Sequence, residues 1–126
     1  MDIRELRIED RVSHNGDIGK VVEIKTTHVG LMFKDGTSYL YNVNELEPIP
    51  LTDELLKKIG FNSNNSGEYI NKIGTVRLSI EKLSDCYYLM FIDYNMGNDL
   101  LDKPIKYLHQ LQHELYDAGV ELKIEL

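Results

Sequence analysis

Short alternations of apolar and polar residues fill the first fifty positions. Val22 with Ile24, Val29 with Leu31 and Phe33, and Leu40 at the middle of its segment recur at a spacing of two. That is the period of a strand with one buried face. Turn signals separate these runs: Asn15-Gly16 followed by Asp17 and Gly19, a break near Thr27, and Asp35-Gly36 as a two-residue hairpin turn. Their glycines supply the positive φ that tight hairpins require. Four or five short strands are predicted, with Leu40 pointing inward. A flat sheet of this size would expose both edges, so the expected form is a small SH3-like β-barrel over residues 1–50.

The pattern then changes. Pro48 and Pro50 cannot donate to a ladder and favour an extended link. Thr52 is a good N-cap, Asp53 and Glu54 bring negative charge to a first helical turn, and Gly60 is placed as C′. Leu55, Leu56 and Ile59 form the apolar face of this short helix. After the polar stretch 62–68, Val76, Leu78 and Ile80 alternate with Arg77, Ser79 and Glu81. Residues 86–92 are apolar throughout, which predicts a central strand covered on both faces. A turn near 95–99 follows, Pro104 opens a long helix, Gly119 ends it, and 120–126 alternates as a last strand. Residues 51–126 therefore read as an α-β-β-β-α-β unit with a mostly antiparallel sheet, and the chain as α+β. The link is too short for independent tumbling, so the unit is expected to pack against the barrel.

At 100° per residue Leu108, Leu111 and Leu115 share the core-facing stripe of the long helix. His109 and His113 lie one turn apart on the polar side, which predicts exposed or marginal positions. Two histidines at this spacing can bind zinc, but a catalytic zinc takes three protein ligands and a water. Asp117 is eight residues from His109, or about 12 Å along the axis, too far for one ion. The positions a zinc protease gives to its glutamate hold Gln110 and Gln112, which cannot accept a proton. No metal site, cofactor or catalytic residue is assigned on these grounds. A metal-dependent enzyme is the least favoured reading.

Composition narrows the classes further. The chain has 126 residues and a net charge of −7, with 42% hydrophobic and 28% charged residues, as in ordinary globular domains. Residues 1–50 carry six basic and nine acidic groups. That balance disfavours phosphate neutralisation and thus general nucleic-acid binding. No apolar run approaches the ~20 residues of a membrane span. The stretch MDIRELRIEDR alternates charges without an apolar run, so no secretory signal is expected. Cys86 is the only cysteine, and together these features set the expected location as the cytoplasm. No phosphate-binding glycine loop, nucleophile elbow or paired-cysteine zinc spacing occurs. Asp93, Asp99 and Asp102 lack the ligand order of a calcium loop, so that segment reads as a polar turn.

Tyr39 and Tyr41 share one face of their strand. Exposed tyrosines on a small barrel can bind peptides, methylated side chains or single-stranded bases. The competing and favoured reading has them half-buried at the joint with the second unit.

Two segments, PIPLTDELLKKIGF (48–61) and IKYLHQLQHELYDAGVEL (105–122), resemble an uncharacterised family of small Bacteroidetes proteins, often found in prophage or mobile-element neighbourhoods. Members read PIPLTEE-x-LLK-x-GF and IKYVHQLQN, with Arg-Ile-Gly-Asn near the start. Here Arg7–Asp10 reads RIED, and His113 stands where the family has asparagine. The resemblance implies a setting and a shared fold, with no activity to carry over.

The function expected from all of this is a non-enzymatic protein-interaction module, binding another protein or itself through Tyr39, Tyr41, His109 or His113. The alternative is a nucleic-acid-associated protein using the barrel, with Lys20, Lys25 or Lys34 on phosphates. No membrane partner is expected.

Overall fold

A computed structural model describes residues 1–64, 67–74, 76–93, 97–100 and 104–126; for 91–93 and 97–100 it describes the backbone alone. Among them the chain is α+β with antiparallel sheets, and it divides into two compact units. The first comprises Met1–Pro50, Tyr107–Glu114 and Leu126; the second comprises Leu51–Lys106 and Leu115–Glu125.

In the first unit, strands β1 (Arg11–His14), β2 (Asp17–Ile24), β3 (His28–Met32), β4 (Ser38–Asn42) and β5 (Glu47–Pro48) form one antiparallel sheet. Their order is β4-β3-β2-β1-β5, and no ladder joins β4 to β5. The Asn15-Gly16 turn forms as expected: His14 pairs with Asp17, and both turn residues have positive φ, 49° and 87°. The second hairpin differs. Phe33 N–H donates to Thr37 C=O, and Gly36, at φ 88°, donates to Phe33 C=O. The loop is therefore Lys34-Asp35-Gly36, a three-residue turn with its glycine in the left-handed position.

Val12, Val21, Val29 and Leu31 are fully buried and form the core with Leu6 and Leu46. Two expected faces are reversed. Val21 is buried while Val22 and Ile24 are each 37% exposed. With two valines in succession either register satisfies the alternation, and a bulge between Val21 and Glu23 resets it downstream. On β4, Tyr39 pairs with Leu31 and Tyr41 with Val29, so both tyrosines share the core face. Leu40 projects from the opposite face and is half exposed.

The second unit opens with helix α1 (Asp53–Lys58). The Thr52 hydroxyl accepts Leu55 N–H at 3.1 Å. At the other end Phe61 N–H donates to Leu56 C=O and Gly60 N–H to Lys57 C=O, with Gly60 at φ 104°. This is a Schellman closure, and it carries Phe61 into the core at 1% exposure. Strands β6 (Asn62–Ser63), β7 (Glu68–Ile73), β8 (Val76–Leu83), β9 (Cys86–Asp93) and β10 (Gly97–Leu100) follow as a meander in the order β10-β9-β8-β7-β6. Leu56 of α1, Leu78 and Ile80 of β8 and Leu89 of β9 are all buried.

Strand β9 is paired on both sides, but its faces differ. Tyr87 and Leu89 are buried, whereas Cys86, Tyr88 and Met90 are half-buried. An apolar run thus marks an interior strand without requiring cover on both faces. Asp93 and Asp99 have described backbones only, and Asp102 lies outside the described residues.

The expected α-β-β-β-α-β order is also corrected. Strands β6 and β10 are additional, and 120–126 forms no strand. The odd–even burial pattern persists there, with Ile124 buried between exposed Lys123 and Glu125. Alternation alone determines which side chains are covered; a ladder also needs a sheet edge beside it. Helix α2 (Leu108–Asp117) begins four residues after Pro104, because 105–107 runs extended, with bridges from Ile105 to Tyr87 and from Tyr107 to Pro50.

Candidate functional site

Helix α2 brings His109 and His113 together, with ring centroids 5.7 Å apart. His109 is not at the surface: it is 2% exposed, and its Nδ1 has no hydrogen-bond partner among the described residues. Burial pushes its pKa down, against the opposing pull of Asp10 and Glu5. His113 sits at the margin, with Nε2 2.7 Å from Oδ2 of buried Asp10. Asp10 also accepts Arg7 N–H at 2.8 Å. The helical wheel misplaced His109 because the chain entering β1, Glu9 to Arg11, lies against the side it assigned to solvent.

The glutamines beside them have structural tasks. Gln110 accepts Tyr107 N–H at 3.1 Å, the return arm of a capping box at the helix start. Gln112 accepts Arg11 N–H at 2.8 Å and donates to Glu9 C=O at 3.0 Å. One amide thereby satisfies a donor and an acceptor of the chain entering β1. Leu111 is fully buried. Among the described residues no group of three or more His, Cys, Asp or Glu side chains is arranged to hold a metal ion.

The two tyrosines stand in a different setting. Tyr39, Tyr41 and Phe33 form a near-equilateral triangle, with centroid separations of 6.3 Å, 6.2 Å and 6.4 Å. Their planes are inclined to one another by 49°, 83° and 52°. His14 stacks on Tyr41 at 3.9 Å, and its Nε2 lies 3.9 Å from Glu45 Oε2. The Lys34-Asp35-Gly36 turn places Phe33 beside the tyrosines, and the Asn15-Gly16 turn brings His14 and Asp17 to the same place.

These rings line an open groove of about 630 Å³ together with Asp17, Asp35 and Lys34. Thr37 donates to Asp35 Oδ1 from its hydroxyl at 2.6 Å and from its N–H at 3.0 Å. Those bonds hold the Asp35 carboxyl below its ordinary value. Tyr39 is 57% exposed, while Tyr41 and Phe33 rest against the core. The result is an aromatic floor in which Tyr39 is the ring most open to solvent. Phe33, His14 and the carboxylates escaped the sequence reading, although Phe33 shares the strand-face spacing that singled out the tyrosines.

A smaller groove in the second unit is lined by Asp53, Lys82 and Tyr87. Tyr87 donates to Asp53 Oδ1 at 3.3 Å. A bond from Tyr69 is the main influence holding the Asp53 carboxyl low, and it raises the Tyr69 phenol to about 12. Asp53 is thus shared among Tyr69, Tyr87 and, at 4.0 Å, Lys82.

No family model, curated protein or solved structure matches this chain. No helix among the described residues is long and apolar enough to cross a membrane.

Proposed function

We propose that the protein is a non-enzymatic interaction module that binds a partner protein in the groove floored by Phe33, Tyr39 and Tyr41. The observation that carries this reading is the three-ring cluster at one open groove. Aromatic side chains provide large contact area at little conformational cost, and Tyr is enriched where partners dock. The volume falls within the roughly 300–1,000 Å³ of ligand-binding clefts. His109 and Asp10, being buried, take no part in it.

The finer architecture belongs to the same reading. We take the first unit to be an SH3-like barrel, supported by its five short strands and their order. The two sequence motifs at 48–61 and 105–122 support a mobile-element setting in Bacteroidetes. The single unpaired cysteine supports a cytoplasmic location.

The test is affinity capture from native cells with the wild-type chain and Tyr39→Ala, each with and without nuclease. A nuclease-resistant protein retained by the wild type and lost by the variant is the expected result. Recovery of nucleic acid alone would overturn the reading, as would a partner indifferent to Tyr39.

A further inference from the structure

We infer that the groove recognises the guanidinium of an arginine presented by a basic segment of the partner protein. This rests on the interaction-module reading and names its ligand chemistry. Three centroids about 6.3 Å apart leave a point above their plane that is close to all of them. A cation about 4 Å above that plane stands about 5.4 Å from each centroid, within the ~6 Å at which a ring that turns its face to the cation makes a cation–π contact; His14 already covers one face of Tyr41.

Charge points the same way. Among the described residues Asp17, Asp35 and Lys34 line the groove, Glu45 stands behind His14, and the chain carries −7 overall. A phosphate or nucleic-acid backbone would be repelled, whereas a basic segment is drawn in. Between the two basic side chains, rings beside carboxylates favour arginine. Its guanidinium is planar and weakly hydrated, stacks on aromatic faces and pairs with carboxylates through two parallel bonds. A lysine ammonium is a compact, strongly hydrated charge. The guanidinium would rest on this floor beside the exposed Tyr39 ring, with Asp17 and Asp35 at its edge.

The intact chain is titrated with the peptide Gly-Gly-Gly-Arg-Gly-Gly-Gly, following its ring resonances by NMR. Counterparts carry citrulline, which keeps the shape and loses the charge, or lysine. The arginine peptide is expected to bind at least tenfold tighter than the citrulline peptide and several-fold tighter than the lysine peptide. Tyr39→Ala should weaken it at least tenfold, Tyr39→Phe should retain it, and Asp17→Asn should weaken it about threefold. Equal binding of arginine and citrulline peptides would overturn the inference, as would a preference for lysine, indifference to Tyr39→Ala, or no binding at all. If it fails while a captured protein still depends on Tyr39, the arginine assignment falls and the interaction module stands. If no captured protein depends on Tyr39 either, both fall.

Discussion

His113 Nε2 and Asp10 Oδ2 are 2.7 Å apart, although 103 positions separate them in the chain. The contact ties helix α2 to the segment that enters β1. Asp10 is 3% exposed at its side chain and also holds Arg7 N–H, so its loss leaves two donors without an acceptor. Asp10→Ala should cost about 2–3 kcal/mol in denaturant unfolding. A double-mutant cycle with His113→Ala should return a coupling of about 1 kcal/mol. Additive effects would show that the pair contributes nothing beyond its separate members.

His109 predicts an acid-side weakness. Burial depresses its pKa in the folded protein, with His113 adding to the effect and Asp10 and Glu5 opposing it. Below about 6.5 the unfolded chain takes up this proton while the folded chain does not. The unfolded state then binds more protons, so stability falls as pH drops through that window. Unfolding free energies measured between pH 8 and pH 5 should show the decline. His109→Leu should flatten it relative to the wild type.

Tyr69 gives the opposite edge. Its phenol is raised to about 12, first by the bond to Asp53 and then by burial. An unfolded tyrosine ionises near 10, so the stabilisation is complete below about 10 and is lost as pH rises toward about 12. Ultraviolet titration should find a late tyrosine that Tyr69→Phe removes, alongside Tyr87, which burial first and then Asp53 also raise. A wild-type curve with every phenol ionising near 10 would contradict the Asp53 bond.

Gln112 should behave as a structural residue. Its amide donates to Glu9 C=O and accepts from Arg11 N–H. Gln112→Glu keeps the acceptor and turns the donor into a second acceptor facing a carbonyl. A loss of about 1–3 kcal/mol is expected, measured by chemical denaturation.

Local signals were legible wherever one residue type answers one local need. Thr52 and Gly60 bound α1 as their chemistry requires, and Asn15-Gly16 makes its hairpin. The failures arise where the deciding partner is distant. Val21 and Val22 are equivalent until the core chooses one. Tyr39 and Tyr41 were identified as a pair, but their face was inverted, because Leu40 alone suggested an inward direction. His109 looks polar on a wheel and becomes buried through residues a hundred positions away. Phe33 joins the tyrosines only through hairpin pairing, which adds a cross-strand neighbour that single-strand periodicity does not contain.

The run His109-Gln110-Leu111-Gln112 has the look of an active-site signature, yet its members fill the interior, begin a helix and fasten a distant strand. The first fifty residues do not complete their own unit, which also takes in Tyr107–Glu114. A chain cut after Pro50 would leave Glu9, Asp10 and Arg11 without the partners that Gln112 and His113 supply.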